Sequence, residues 1–120
     1  MPIKSILRCV IPLSIFMFLS LKSIAQQTGF ACIYSKNLCG GKTASGERFD
    51  CDKLTAAHLK LKMGAKIQVT NLENGKTVVV KINDRGPYSK KYILDLSPAA
   101  AKKIGLTYQQ GRAKVKWKQL

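Results

Sequence analysis

The sequence predicts a mainly β fold in the form of a small closed barrel with one or two short helices. Short segments that alternate between apolar and polar residues recur along the chain, separated by turns rich in Gly, Pro, Asn and Asp. Little helix is indicated, and 95 residues remain after an expected leader. A small sheet of this kind exposes unpaired edges unless it closes on itself, and closure therefore favours a barrel.

A hairpin is the most strongly indicated element. Residues 65–70 and 77–82 alternate as strands do, and Glu73-Asn74-Gly75 between them is a typical hairpin turn. Ser97 and Pro98 form a helix cap and first helical position for residues 99–104. The remaining predicted elements are strands over 29–34, 92–96 and 113–118, a long irregular loop over 35–52 and a short helical turn over 54–61.

The amino terminus has the features of a signal peptide, residues 1–25, before one domain at 26–120. Lys4 and Arg8 precede an apolar run of 13 residues, and Ser23-Ile24-Ala25 fits a signal peptidase site. The run is shorter than the roughly 18 residues that span a bilayer, so a retained anchor is the weaker alternative. Cys9 lies at the start of the run, where it does not fit a lipid attachment site. We expect an exported protein, periplasmic or secreted and not lipid-anchored.

The mature chain is strongly basic. Its 18 Lys and Arg residues face 6 acidic ones, which gives a net charge of +12. Such a surface attracts polyanions, and cell-wall polymers carry carboxylates and phosphates. The basic residues are spread along the chain without a nucleic-acid-binding motif. We therefore expect a wall partner and no nucleic acid, with a solvated basic face that only aids solubility as the alternative.

Three cysteines remain after the expected cleavage, so at most one internal disulfide forms. Cys39 and Cys51 are candidates, because a bridge between them closes a loop of about a dozen residues. Cys32 competes for either partner. The cysteine spacings match no zinc motif and His58 lies apart from them, so we expect no metal and no cofactor.

Few groups are available for acid or base chemistry. The mature chain has one histidine and six side-chain carboxyls, those of Glu47, Asp50, Asp52, Glu73, Asp84 and Asp95. Asp84 differs from the others because it stands where an apolar strand ends, before Gly86, which lets a ligand approach the backbone. A turn cap that bonds nearby amides is the alternative reading of Asp84.

Five ordered segments resemble the rare lipoprotein A family. The match covers about residues 29–106 and implies a six-stranded double-psi β-barrel. Characterised members are lytic transglycosylases that cut peptidoglycan after N-acetylmuramic acid and leave 1,6-anhydro ends, and some prefer strands without stem peptides. The segments are Lys-Thr-Ala-Ser-Gly-Glu-Arg-Phe-Asp at 42–50, Leu-Thr-Ala-Ala-His at 54–58, Val-Thr-Asn-Leu-Glu-Asn-Gly at 69–75, Asn-Asp-Arg-Gly-Pro at 83–87 and Ile-Leu-Asp-Leu-Ser at 93–97.

The resemblance implies roles for several side chains. Asp84 is the expected acid/base, and Glu47 is a second groove carboxyl that tunes Asp84 or holds sugar hydroxyls. Substrate binding is expected from His58, Asp95, Arg85 and Tyr34. A structural histidine remains an alternative for His58, and a buried partner for Arg85 or for helix amides remains one for Asp95.

The chain also departs from the family pattern, and two other functions stay open. Cys32-Ile33-Tyr34-Ser35 replaces a Ser-aromatic-Tyr-Gly segment, so part of the groove has been rebuilt. The chief alternative is a non-catalytic, expansin-like module that binds or loosens the wall. A secreted toxin or inhibitor is the other. Peptidoglycan glycan strands are the expected partner, and the protein is expected to be a monomer.

We predict that the mature chain begins at Gln26 and is recovered soluble from the periplasm or the medium, because the apolar run is too short to anchor it. Amino-terminal sequencing of the fractionated protein checks this. A chain that still starts at Met1 in the membrane fraction would contradict it.

Overall fold

The computed structural model describes residues 26–120, which form one barrel. The expected signal peptide, residues 1–25, lies outside the described residues. Six strands close in the order β1-β5-β2-β4-β3-β6, and β6 returns to pair with β1. The strands are β1 (Gln26–Ile33), β2 (Thr55–Ala57), β3 (Lys66–Asn71), β4 (Thr77–Asp84), β5 (Leu94–Leu96) and β6 (Arg112–Gln119). The predicted closed, mainly β barrel is confirmed.

The barrel is filled by the inward-facing residues of the strands. In β3, β4 and β6, buried and more exposed residues alternate, as the sequence pattern predicted. The largest fully buried side chains include Ile67, Ile82, Leu94, Leu96 and Ile104. Between residues 26 and 120 no helix has the length and apolar character needed to cross a membrane.

The predicted hairpin and helix cap are both present. β3 and β4 pair antiparallel with Thr70 opposite Thr77, and Gly75 in the turn has a φ of 77°. The helix, α1 (Pro98–Lys103), begins after Ser97, whose side chain accepts a hydrogen bond from the Ala100 amide. A single turn of 3-10 helix over Lys36–Leu38 is the other helical piece, within the predicted long loop.

The predicted helical turn over residues 54–61 is wrong. Residues Thr55–Ala57 form β2, which pairs in parallel with β4 and antiparallel with β5. All three of its residues are buried, and a short buried strand cannot be told from a helix by its apolar pattern. Pairing on both sides outweighs the helix propensity of alanine in this segment. A turn stabilised by His58 follows, in which its Nδ1 accepts hydrogen bonds from the amides of Lys60 and Leu61.

The long loop after β1 is held by covalent and hydrogen bonds. Cys39 and Cys51 form a disulfide, and half-buried Cys32 keeps a free thiol. The Gly40 amide donates to the Phe49 carbonyl at 2.7 Å, and Phe49 is buried. The disulfide therefore joins the two ends of a loop whose middle carries Glu47.

We predict that replacing Cys39 and Cys51 by serine lowers the free energy of unfolding by about 3 kcal/mol, because the unfolded chain regains the freedom of a 12-residue loop. Denaturant unfolding under non-reducing conditions measures this. Cys32→Ser is the control. Because Cys32 is outside the disulfide, a reductant lowers the stability of this variant as much as it lowers the stability of the parent. A double variant as stable as the parent would contradict the prediction.

Candidate active site

Two carboxylates flank the end of β2. In the strand register Ala57 lies opposite Asp84 on one side and opposite Asp95 on the other. Adjacent strands are about 4.8 Å apart, so the two aspartate backbones lie about 10 Å from each other. Tyr34 follows β1 directly, and β1 runs parallel to β5. The ends of these two strands therefore lie together, and Tyr34 joins the two aspartates at this end of the barrel.

A β-bulge directs Asp84 away from the core. Ala56 pairs with Ile82 but Ala57 pairs with Asp84, so Asn83 is the extra residue on β4. Without the bulge, Asp84 would share the inward face of fully buried Ile82, since side chains two apart point the same way. Asp84 is instead half-buried at the barrel surface.

The carboxylate of Asp84 accepts three hydrogen bonds. Its Oδ2 accepts from the Tyr34 hydroxyl at 2.6 Å. Its Oδ1 accepts from the backbone amides of Ala44 and Arg85, each at 2.9 Å. Burial and the hydrogen bond to Asp84 raise the pKa of Tyr34 well above its usual range, so the phenol remains a donor. The carboxylate is therefore held in a fixed orientation.

Asp95, like Asp84, is half-buried. Its Oδ1 accepts a hydrogen bond from the Cys32 thiol at 2.7 Å. Burial raises the pKa of Asp95; the thiol bond acts in the opposite direction and the charge of Asp84 adds to the rise. Burial, the bond to Asp95 and its charge raise the pKa of Cys32 to about 12, so the thiol stays protonated.

Gly86 leaves room for this arrangement. Its φ is +136°, which other residues rarely adopt, and a Cβ there would lie 3.3 Å from Oδ2 of Asp95. The turn after β4 can therefore pass close to β5 only with glycine at this position.

Glu47 is exposed and forms an ion pair with Lys81. Lys81 Nζ lies 2.9 Å from Glu47 Oε2, and the Ser45 hydroxyl donates to Oε1 at 3.3 Å. The hydrogen bond from Lys81 is the main cause that lowers the pKa of Glu47. The structure thus places an ionised Glu47 beside β4.

The loop that carries Glu47 is fastened to the end of β4. The Ala44 amide donates to the Asp84 carboxylate, and the Ser45 amide donates to the Asn83 carbonyl at 3.2 Å. Glu47 follows Ala44 by three residues. The carboxylates of Glu47 and Asp84 are therefore both held where this loop meets the end of β4.

His58 and Arg85 brace the backbone around the aspartates. The His58 amide donates to the Asp84 carbonyl at 3.2 Å, and the Arg85 guanidinium donates to the His58 carbonyl at 3.1 Å. Nδ1 of His58 accepts two turn amides, and Nε2 lies 3.4 Å from the side-chain oxygen of Gln27. Burial is the main cause that lowers the pKa of His58, and the positive charges of Arg85 and Lys60 lower it further. Arg85 thus contacts the His58 backbone, and the His58 ring is neutral at pH 7.

Two tyrosines differ in how far they are available to a ligand. The Tyr34 ring packs on Phe49 with centroids 4.4 Å apart, and the Tyr34 carbonyl accepts from the Tyr108 hydroxyl. Tyr88, after the Gly86–Pro87 turn, is 81% exposed. It lines a cavity of about 560 Å³ together with His58 and Tyr92. Across residues 26–120 no group of three His, Cys, Asp or Glu side chains is placed to hold a metal ion.

Sequence analysis missed three contributors to the site. The sequence predicts Cys32 as a competing disulfide partner and as part of a rebuilt groove segment, but not as a partner of Asp95, although strand alternation already separates its side chain from buried Ala31. Lys81 stands alone among the apolar residues of β4, and this isolated charge was the available indication of a partner. The amide of Ala44 has no sequence signature.

A model of the lytic transglycolase family matches residues 26–117 of the chain. The endolytic peptidoglycan transglycosylase RlpA of Neisseria meningitidis serogroup A is 47% identical over 94 residues, which are 78% of this chain and 39% of that protein. The protein of the same name from Pseudomonas aeruginosa PAO1 is 45% identical over 91 residues, 76% of this chain and 26% of that protein. The chain thus matches about two fifths or less of the length of these relatives.

Solved structures share the fold. An expansin from Clavibacter michiganensis aligns with a TM-score of 0.64 and 22% identity, over 79% of this chain and 50% of that one. A Streptomyces papain inhibitor aligns with a TM-score of 0.62 and 23% identity, over 79% and 94%. Both similarities concern the barrel alone. With its family model matched across nearly all of the barrel, the chain belongs to the lytic transglycolase family of double-psi β-barrels.

Proposed function

We propose that this protein is a peptidoglycan lytic transglycosylase that cleaves the bond between N-acetylmuramic acid and N-acetylglucosamine and forms 1,6-anhydro-muramyl ends. The names of its relatives support the substrate class. The observation that carries the proposal is the bond from the Ala44 amide to Asp84, since it holds the Glu47 loop against the acid/base candidate. We propose the cell envelope, reached by export, as the place of action.

Asp84 is the group proposed to move the proton. A glycoside hydrolase generally needs a second carboxyl that attacks or activates water. In the lytic reaction, protonated Asp84 gives its proton to the leaving glycosidic oxygen as the bond from the anomeric carbon breaks. The resulting carboxylate then takes the proton of the sugar's own 6-hydroxyl as that oxygen bonds to the anomeric carbon. The proton returns to Asp84, and no water is consumed.

The neighbours of Asp84 fix the geometry of its carboxylate, the form that takes the proton in the second half of this cycle. The Tyr34 hydroxyl and two amides hold the carboxyl in one orientation, and orientation of a reacting group lowers the barrier substantially. Asp95 lies on the far side of Ala57 and is held by the Cys32 thiol. We assign Tyr34 and Asp95 to the substrate groove, and His58 and Arg85 to its support.

Glu47 is proposed to act as a carboxylate. Positive charge develops at the anomeric carbon as the glycosidic bond breaks, and a nearby negative charge stabilises it. The Lys81 ion pair lowers the pKa of Glu47 and keeps it in the required form. Glu47 also presents oxygens that can hold sugar hydroxyls.

We predict that Asp84→Asn lowers the release of anhydro-muramyl products about 100- to 10,000-fold, because asparagine keeps the shape but cannot exchange the proton. The measurement is mass spectrometry of the soluble products formed from isolated peptidoglycan. Binding to the glycan survives the substitution.

Asp50→Asn and Glu73→Gln are the matched controls, since both carboxyls are exposed and outside the group of side chains around Asp84. They leave product release nearly unchanged. Reducing ends in place of anhydro ends would indicate a hydrolase, and bound but uncut glycan an expansin-like module. Normal turnover by the Asp84→Asn variant would rule out Asp84 as the acid/base.

We predict that Lys81→Gln moves the acid limb of the pH profile of kcat/KM to higher pH. The Lys81 hydrogen bond lowers the pKa of Glu47, so its loss raises that pKa, and protonation then removes the active carboxylate at a higher pH. Lys62→Gln, an exposed lysine outside this pair, serves as the control. An acid limb that stays in place in Lys81→Gln would show that Glu47 does not need to be ionised.

A further inference from the structure

One strand of the barrel carries a row of exposed basic side chains. On β6 the residues Ala113, Val115 and Trp117 are buried, and the basic residues between them are exposed. Side chains on one face of a strand repeat about every 6.6 Å. We call Lys114, Lys116 and Lys118 the basic strip; with Arg112 it extends over about 20 Å.

The strands on either side of the strip present uncharged polar groups. Lys116 lies opposite Thr28 on β1 and Thr70 on β3. Lys118 lies opposite Gln26 and Gln68. A recess of about 240 Å³ lies here, lined by Gln26, Gln68, Thr70, Lys116, Trp117 and Lys118. The strip therefore combines positive charge with amide and hydroxyl groups able to bond sugar hydroxyls.

The lysines of the strip have no acidic partners. β1, β3 and β6 contain no Asp or Glu, and the single ion pair found within residues 26–120 joins Lys81 and Glu47. Neighbouring ammonium groups repel each other, and a ligand with negative charges along its length relieves this repulsion. The face thus offers a row of positive charges that can pair with an anion longer than a single small ion.

The strip leads to the edge of the candidate active site. Arg112 lies opposite Cys32 on β1, and Cys32 lies opposite Asp95 on β5. Two strand spacings, about 10 Å, separate the backbones of Arg112 and Asp95. The Arg112 guanidinium lies over the Phe30 ring at 4.3 Å, which fixes this end of the row. A polymer bound at the aspartates can therefore continue along β6.

We propose that the basic strip is a second binding surface, which holds the carboxylates of a glycan strand whose cleavage point lies at Asp84. This rests on the proposed function for the identity of the polymer. A linear strand fits because the lysines follow a single straight β-strand that begins beside the site. Binding by the strip involves no proton transfer, so it persists when cleavage is abolished.

The test compares two triple variants of equal charge in an Asp84→Asn background, where the glycan stays intact. One carries Lys114→Gln, Lys116→Gln and Lys118→Gln. The control carries Lys62→Gln, Lys102→Gln and Lys103→Gln, three exposed lysines outside the strip. The ligands are peptide-free glycan strands with free lactyl carboxylates and the same strands with those carboxylates converted to methylamides. Thermal unfolding verifies that both variants fold.

The strip variant is expected to bind the carboxylate strands about tenfold more weakly, since each of three exposed charge contacts contributes a few-fold. The control variant changes binding by less than about twofold, because screening confines each exposed charge to its own surroundings. With the methylamide strands the two variants bind equally. This pattern would locate carboxylate recognition on β6.

Three results would overturn the proposal. Equal weakening in both variants would mean that only net charge matters. If the strip variant lost as much affinity for the methylamide strands as for the carboxylate strands, the strip would not recognise carboxylates. The same two variants are also measured with a teichoic acid and with a single-stranded oligonucleotide, and an effect confined to either of these phosphodiester polymers would assign the strip to another ligand. The anhydro-product assay with the parent protein tests the proposed function separately.

Discussion

The insertion of β2 between β4 and β5 is the constraint on which the site depends. Thr55, Ala56 and Ala57 are all buried, and β2 is paired with a strand on each side. Ala57 then fixes Asp84 and Asp95 one strand spacing away on either side. The bulge at Asn83 turns Asp84 out of the core at the same point. Bulges are frequent beside active sites because they redirect one side chain without disturbing the rest of a sheet.

Closure of the barrel brings Tyr34 and the loop that carries Ala44 to the site, which β2 alone cannot do. β1 pairs with β6 from Gln26 to Cys32 and with β5 at its end, and Tyr34 follows it directly, with its hydroxyl on the Asp84 carboxylate. The loop closed by the disulfide then returns to place the Ala44 amide on the same carboxylate. The Tyr34 hydroxyl and the Ala44 amide, which are 50 and 40 residues away from Asp84 in the chain, therefore converge on its carboxylate.

The sequence predicted the elements whose causes are local. The Asn74-Gly75 turn and the Ser97 cap appear as expected, because each depends on neighbouring residues alone. β2 was mistaken for a helical turn, since its strand character comes from partners elsewhere in the chain. Of the site, the family motifs indicated Asp84 and Glu47, but the bulge, the thiol on Asp95 and the Lys81 ion pair depend on register. The register between strands that are distant in the chain is set by how their buried faces pack, which no short motif specifies.

The placement of charge allows the proposed acid chemistry and the proposed polyanion binding to coexist in so small a barrel. A guanidinium paired with a carboxyl favours the ionised form and opposes proton donation. Arg85, the residue after Asp84, instead bonds the His58 carbonyl. Lys81 is paired with Glu47, whose proposed role requires ionisation. The unpaired lysines of β6 are separated from Asp95 by strand β1, and salt screens the interaction between exposed charges. The same fold therefore leaves the lysines of β6 free for the proposed polyanion, while the bonds found to the Asp84 carboxylate within residues 26–120 come from a tyrosine hydroxyl and two backbone amides and from no lysine or arginine side chain.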